Sequence, residues 1–443
     1  MTETQPPPTP TIRVLILNWN GRAYLEACLT ALRAQTYAAE SIVLLDNGST
    51  DDSIAFVRDH FPEVIVRANG GNLGFAAGNN VALRELQAGA ALLLNPDVVL
   101  SPDCLATLAG ALAADPTIGI AGCKLWYPGG TLLQHAGGFI THPQALPGHY
   151  GFGEPDAGQH DIPRDVEYVI GGALVVRRAA LERVGLLDEG FFLFFEDVDL
   201  CVRVRAAGFR VVYEPQASGI HVESAVAGKG SFAYLQRFHT GRWRYLLKHF
   251  PGEEIVGATL SAEMAWLDQL GAFERRAVTL AYVASRRNLR DIWGARRREG
   301  AGPLPLEMQL AIENVLGQLI DHARRAGFEA AGLAALRAKA ELRTEPFTSN
   351  APLIGPLITR FRTAWNDIAS RWYLDHLMFQ QNEFNRLAVQ QIEAYEVELR
   401  DQLELLEEQI VAVAEGQRRV QQLEAQLADL EREVAARDKD ATR

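Results

Sequence analysis

Ile12-Arg13-Val14-Leu15-Ile16-Leu17 runs directly into the polar turn Asn18-Trp19-Asn20-Gly21 and then into a helical pattern near Tyr24-Gln35. An apolar, β-branched run, a polar turn and a helix of period 3.6 open a βαβ unit. The same sentence repeats down the chain. Strands are expected at Ile42-Leu45, Val64-Val66, Ala91-Leu94 and Ile118-Ala121, with helices near Asp52-His60, Ala76-Gln87 and Asp103-Ala113. Alternation of this kind predicts an α/β domain with a mainly parallel sheet flanked by helices. Ser49 or Thr50 before Asp51-Asp52, and Ser101 before Pro102-Asp103, read as helix starts in which a hydroxyl caps. Strand and helix patterns resume at Tyr168-Val176, Leu181-Val184, Val198-Ala207 and Arg210-Tyr213, after a Gly-, Pro- and His-rich stretch at 128–165 that reads as a long loop with short strands.

Beyond residue 230 the strand signal fades into aromatic, Arg-rich helices. Arg286, Arg287, Arg290, Arg296, Arg297 and Arg298 would make a basic face, suited to peripheral contact with anionic lipid headgroups or, more plainly, to solvent. Residues 344–358 read as a linker. After it Leu399, Leu403, Leu406, Ile410 and Val413, then Val420, Leu423, Leu427, Leu430 and Val434 fall on one heptad seam, with a phase slip near Gly416. The expected organisation is a lead at 1–10, an α/β domain at 11–250, a helical extension at 251–343, the linker, and a coiled-coil tail at 359–443 that makes a homo-oligomer or holds a partner.

The 443 residues exceed what one core usually fills. A net charge of -12 excludes wholesale nucleic-acid binding. Cys28, Cys104, Cys123 and Cys201 lie far apart with no CxxC spacing and read as reduced core residues. Met1 to Pro10 shows neither a basic nor an apolar leader region, and no stretch reaches the ~20 apolar residues of a membrane span, so a cytoplasmic protein, able to sit at the inner face of a membrane, is expected.

Chemistry concentrates where strands end. Ligands of open α/β sheets bind at the carboxyl ends of strands. Asn18-Trp19-Asn20-Gly21, Asp46-Asn47-Gly48-Ser49-Thr50-Asp51, Asn69-Gly70-Gly71-Asn72-Leu73-Gly74 and Asn95-Pro96-Asp97 all stand there. Each alone is an ordinary turn sequence, but their common placement asks for more than turn chemistry. Asp97 could hold Mg²⁺ or Mn²⁺ against a diphosphate, and His221 could add a nitrogen ligand. Glu196-Asp197-Val198-Asp199 opens a helix after the aromatic run Phe191 to Phe195, so an acid there is either a catalytic proton acceptor or a partner of the helix dipole.

Taken together, Asn18-Trp19-Asn20-Gly21, Asp46 to Asp51, Asn72-Leu73-Gly74-Phe75-Ala76-Ala77-Gly78-Asn79-Asn80, Asn95-Pro96-Asp97, Gly171-Gly172-Ala173 through Arg177-Arg178, Phe195 to Leu200 and His221 resemble a family 2 glycosyltransferase of the GT-A fold, nearest to its rhamnosyltransferase-like branch. The resemblance covers residues 11 to 250. It implies inverting transfer from a nucleotide-diphosphate sugar, dTDP-rhamnose first and UDP-hexose next, to a hydroxyl of a cell-surface polysaccharide, glycan or lipid-linked acceptor. It implies Asp46 as a nucleotide ligand, with Asn18, Asn72 and Asn80 near base or ribose and Asn95 among the donor-binding residues. Asp97 and His221 would be metal ligands and Asp197 the base. Gly172, Glu196 and Asp199 would orient acceptor or helix. Asn95 stands where the family's metal motif has its first acid, a departure that removes one carboxylate. Two other readings remain open on the residues: a nucleotidyltransferase, for which the turn after the first strand lacks a Gly-rich basic loop, and a coiled-coil scaffold with a vestigial pocket.

Overall fold

The computed structural model describes residues 9–222 and 230–328, with scattered helical positions between 381 and 395. Most of the lead, the linker at 344–358 and the heptad seam from Leu399 lie outside the described residues.

The alternation read from the sequence is the alternation observed. β1 (Ile12–Asn18), α1 (Arg22–Arg33), β2 (Ser41–Asp46), α2 (Ser53–His60), β3 (Ile65–Ala68), α3 (Gly74–Leu83) and β4 (Ala90–Leu94) follow in order. Then come β5 (Val98–Leu100), α4 (Cys104–Ala114) and β6 (Ile118–Trp126). The Gly-, Pro- and His-rich stretch supplies the short strands β7 (Leu133–His135), β8 (Gly138–Thr141), β9 (Leu146–His149) and β10 (Arg164–Asp165). β11 (Ala173–Arg177), α5 (Arg178–Val184), α6 (Glu196–Ala206) and β12 (Arg210–His221) complete the sheet domain.

β3, β2, β1 and β4 pair in parallel, and β12 pairs in parallel with β6. β11 lies between β4 and β6, antiparallel to both. The long strands other than β11 therefore point one way, and the reversed β11 brings its starting residues Gly171-Gly172-Ala173 to the edge where β1, β2 and β4 end. β12 is longer than the expected Arg210-Tyr213. It passes Pro215 through a register shift against β6 between Glu214 and Ser218 and continues to His221. A bulge tolerates a proline that cannot donate to the ladder, which is why the strand outlives a residue that reads as its end.

β1 is buried on both faces, as a central parallel strand must be. Ile12, Val14 and Ile16 enter one core with α1, α2 and α4, while Leu15 enters the other with α3, α6 and the later helices. The helix starts differ from the hydroxyl caps expected. Ser49 Oγ instead receives Asn18 Nδ2 at 3.0 Å and the Asn20 amide at 2.9 Å, and Ser101 Oγ pairs with Ser218 Oγ at 2.9 Å. The start of α2 is held by Asp51 Oδ1, which accepts the Ser53 amide. All four cysteines are buried and free.

The helical layer is α7 (Phe232–His249), α8 (Gly252–Glu254) running through a π-helical turn at Ile255–Thr259 into α9 (Leu260–Leu267), α10 (Ala272–Arg287), α11 (Leu289–Glu299) and α12 (Leu306–Phe328). Residues up to Phe328 form one compact unit with the sheet, and Glu329–Arg443 form another. Inside the layer Arg242 makes a bidentate, fully buried pair with Glu263, which also accepts Tyr282 Oη at 2.6 Å. Arg242 Nη1 reaches the Gln144 carbonyl as well, tying the β8–β9 hairpin to the layer. Arg296, read above as part of a basic face, is buried and donates to the carbonyls of Leu247, Phe250 and Gly302, while Arg286, Arg287, Arg290, Arg297 and Arg298 are exposed. Among the described residues no helix is long and apolar enough to cross a membrane.

Candidate active site

A cleft of about 370 Å³ opens along the carboxyl edge of the sheet. One wall is Trp19, Asn47 and Asn72; its floor is Asn95 to Asp97 with Gly172 and His221; the facing wall is Phe192 to Asp197 with Tyr234, Arg237 and Phe238.

The turn after β2 is built by its own side chains. Asp46 Oδ2 accepts the amides of Gly48 and Ser49 at 3.2 and 3.0 Å, and Asn18 Nδ2 donates to Asp46 Oδ1 at 3.3 Å. Both residues are buried beneath the cleft, and Asn18 Oδ1 has no hydrogen-bond partner among the described residues. Asn47, next in sequence, lines the cleft and latches the third loop, donating to Asn72 Oδ1 at 3.1 Å and accepting the Leu73 amide at 3.2 Å. Asn72 thus stands on the wall. Asn80 stands elsewhere: its amide is committed to the Leu187 backbone and the Glu189 carboxylate, joining α3 to the loop before the aromatic run.

On the floor, Asp97 and His221 face each other, Oδ1 to Nε2, at 3.4 Å, and both are buried. The Val222 amide donates to the Asp97 carbonyl at 3.0 Å, so the end of β12 is sewn to the Asn95-Pro96-Asp97 turn. His221 Nδ1 sits 2.7 Å from Gln134 Oε1. A carbonyl oxygen only accepts, so Nδ1 carries the proton and Nε2 turns a lone pair toward Asp97. One carboxylate oxygen and one imidazole nitrogen on a cleft floor fit a divalent cation whose remaining positions would fall to diphosphate and water oxygens. Asn95 lines the floor as a neutral neighbour, and its amide bonds to the Gly172 carbonyl at 2.9 Å. Gly172 keeps space beside His221, where a Cβ would lie 3.4 Å from the ring.

The facing wall is strained. Phe194 and Phe195 have φ of 72° and 71°, left-handed values that bulky residues rarely hold. Close approach from both sides holds them there. The Phe75 amide donates to the Phe192 carbonyl at 2.6 Å, and a Cβ on Gly74 would come within 2.4 Å of that oxygen. On the far side a Cβ on Gly241 of α7 would come within 2.6 Å of the Phe194 carbonyl. The turn aims the first residues of α6 into the cleft.

Three acids in that turn meet three different environments. Asp197 Oδ2 accepts the Gly171 amide at 2.7 Å and Oδ1 the Val198 amide at 2.8 Å. Burial raises its pKa, and those amides oppose the rise. Glu196 is buried and lines the cleft, and its Oε2 has no hydrogen-bond partner among the described residues. Burial, and then the charge of Asp197, push it well above the ordinary carboxylate range, so of the pair Glu196 is the acid whose surroundings favour the protonated form more. Asp199 faces away, into the helical layer. Burial alone would raise it, but Arg203 Nε at 2.7 Å, Lys248 Nζ at 2.7 Å and His249 Nε2 at 2.7 Å carry it well below the usual range. Its role is to fasten α6 to α7.

Asp188, Asp199 and Glu299 bring three carboxylates together, as a cation site would. The cation is Lys248, whose ammonium reaches all three at 2.7 to 3.0 Å. Sequence reasoning passed over Asn47, Gln134, His149 and Arg237. Asn47 sat unremarked inside the Asp46–Asp51 loop. Gln134 and His149 lie in the stretch without period, where no pattern assigns a side.

A model of the family described as glycosyl transferase family 2 matches residues 13–185, from β1 to the end of α5. The chain carries a family 2 glycosyltransferase domain. An N-acetylglucosaminyl-diphospho-decaprenol L-rhamnosyltransferase of Mycobacterium tuberculosis (strain H37Rv) is 28% identical over 265 residues, 55% of this chain and 86% of that protein. Rhamnosyltransferase WbbL of Escherichia coli (strain K12) is 26% identical over 235 residues, 46% of this chain and 87% of that protein. Among solved structures, GalNAc-T7 with UDP, GalNAc and Mn²⁺ superposes with a TM-score of 0.46 at 14% identity, over 58% of this chain and 51% of that one. The family match and the rhamnosyltransferase relatives support sugar transfer as the role of this domain.

Proposed function

We propose that the glycosyltransferase moves a sugar with inversion from a nucleotide-diphosphate donor, dTDP-rhamnose before UDP-hexose, to a hydroxyl of a lipid-linked or polysaccharide acceptor. The observation that carries this reading is the pairing of Asp97 with His221 on the floor while Asp197 is presented on the facing wall of one cleft. The rhamnosyltransferase relatives favour the donor, and the decaprenol-linked acceptor named for one of them favours a lipid diphosphate.

The nucleotide rests against Trp19, Asn47 and Asn72, a half-exposed aromatic ring beside amides, with Asp46 and Asn18 stiffening the turn beneath. Mg²⁺ or Mn²⁺, held by Asp97 and His221, would neutralise the leaving diphosphate. Asp197 takes the proton of the acceptor hydroxyl as that oxygen bonds to the anomeric carbon. The bond from that carbon to the diphosphate breaks, and its electron pair leaves with the nucleotide. Glu196, protonated, offers a hydrogen bond to a substrate hydroxyl rather than a second negative charge. The acceptor enters past Phe192, Phe194, Tyr234 and Phe238, with Arg237, whose guanidinium lies over the Phe192 ring, as a cation for a phosphate. The exposed arginines of α10 and α11 suit contact with an anionic membrane surface.

A thermal-shift panel of dTDP-, UDP- and GDP-sugars with and without Mn²⁺ tests the donor, because a ligand of the folded state raises its apparent stability. A Mn²⁺-dependent shift with dTDP-rhamnose, lost in Asp97→Ala, is expected. A shift with no nucleotide contradicts the reading.

A further inference from the structure

Asn47 lines the cleft, yet every polar site on its side chain is already spent inside the protein. Its Nδ2 donates to Asn72 Oδ1 and to the Gly74 carbonyl, both at 3.1 Å. Its Oδ1 accepts Asn69 Nδ2 at 3.1 Å and the Leu73 amide at 3.2 Å. A carboxamide has two protons to give and two lone pairs to fill, so this one has nothing polar left for a ligand. Its orientation is fixed as well, because the Leu73 amide can only donate and the Gly74 carbonyl can only accept. At 2% exposure the residue is a clasp between the turn after β2 and the loop at 69–74.

The clasp leads to the catalytic turn. The Gly74 carbonyl belongs to the same planar peptide unit as the Phe75 amide, and that amide donates to the Phe192 carbonyl at 2.6 Å. One rigid plane is therefore held by Asn47 at its oxygen and holds, at its nitrogen, the segment that enters the left-handed Phe194-Phe195 turn. Polarisation through the peptide makes each of the two bonds strengthen the other. The Phe75 ring adds a second contact. A Cβ on Gly171 would fall 3.0 Å from Phe75 Cζ, and the Gly171 amide is the donor to Asp197 Oδ2 at 2.7 Å. Phe75 thus meets both features that fix Asp197, the turn that precedes it and the glycine whose amide it accepts. A left-handed conformation at two consecutive phenylalanines persists only while its surroundings enforce it.

We propose that Asn47 is a positioning residue for the transfer: through the Gly74-Phe75 peptide it holds the turn at 192–195 in the form that presents Asp197 to the acceptor hydroxyl. The proposal deepens the reading above and rests on it for the role of Asp197. It differs from a nucleotide contact, which would be read in donor affinity alone.

Amide hydrogen exchange of the full chain tests the grip without any substrate. In Asn47→Ala the Phe75 and Gly171 amides should exchange about five to ten times faster, with the amides of β6 unchanged. Asn47→Asp keeps the shape and the accepting oxygen but cannot donate to the Gly74 carbonyl, so the Phe75 amide should respond and the Leu73 amide should not. In transfer from dTDP-rhamnose to N-acetylglucosaminyl diphosphate on a short prenyl chain, at saturating donor and acceptor, Asn47→Ala should lower kcat about 10–100-fold. Added to Asp197→Asn it should lower the residual rate by less than about twofold, because a residue that acts through Asp197 then has nothing left to position. Equal fold losses in both backgrounds, a raised donor KM with kcat unchanged, or Phe75 exchange that neither variant moves overturns the proposal. If the amides respond while the wild type turns over no dTDP-rhamnose, the grip on the turn stands and the transfer reading with that donor falls. If the wild type reacts and neither variant alters Phe75 exchange or kcat, the positioning role falls and the transfer reading stands.

Discussion

The first turn of α6 carries two carboxylates that face the cleft and one that faces the helical layer, and the two sides are built on opposite rules. Asp199 is surrounded by Arg203, Lys248 and His249, so each charge placed in the interior is matched. Glu196 is buried and Asp197 half-buried at the cleft, and the pair has only backbone amides, or at Glu196 Oε2 no partner at all among the described residues. Matching makes an acid inert and structural. Leaving it unmatched costs stability and keeps a proton exchangeable, which is what a transfer site requires.

Substitutions can break that contrast or sharpen it. The largest effect belongs to Asp197→Asn, which keeps shape and removes the proposed proton acceptor: kcat should fall by about 10²–10⁴ with nucleotide affinity by calorimetry unchanged. Asp199→Ala should leave the chemistry of the cleft alone and unfold the protein instead, with a loss of about 3–5 kcal/mol in urea titration, because Lys248 and Arg203 lose their counter-charge. The pH dependence of that same contribution has a definite sign. A carboxyl held below its unfolded value of about 3.9 stabilises fully above that pH and loses its contribution as the pH falls below it. Acid unfolding of the wild type should therefore steepen below about pH 4, and a protein carrying Asp199→Asn should lack that step.

Gln134→Leu removes the group that orients His221. Mn²⁺ affinity, measured in the presence of nucleotide, should weaken about 10–100-fold. The smallest effect is expected at Glu196. Its raised pKa means that the folded state resists ionisation, so its cost grows as the pH rises above about 4.3. Glu196→Gln should stabilise the protein on the order of 1 kcal/mol at pH 7.5, with the gain vanishing below pH 4, while turnover declines.

Much of this was legible in the chain. The strand that ends at Asn18 and the one that ends at Leu94 announce themselves because parallel strands buried on both faces are nearly continuous apolar runs, and the polar turns that follow them mark the edge. Asp97, Asp197 and His221 were found as types and arrive in one cleft. Asn80 and Arg296 show where one-dimensional reading stops. Each is a polar residue of a plausible kind, yet one bonds to Leu187 and Glu189 and the other to backbone carbonyls 46 to 49 positions away, and nothing local reveals such long-range partners. Gln134 and His149 were invisible for a related reason. Their strands are three and four residues long, too short for a period, so only the folded hairpin says which way they face.

Carbon-detected carboxyl titration of the full chain, with Glu196→Gln and Asp199→Asn used to assign the two signals, tests the contrast most directly. The account predicts that the Glu196 carboxyl is still protonated well above the usual carboxylate range while the Asp199 carboxyl stays ionised down to the pH at which the protein unfolds. Ordinary midpoints near 4 for both groups would contradict it, and would remove the physical distinction between the acid that serves the cleft and the acid that fastens the fold.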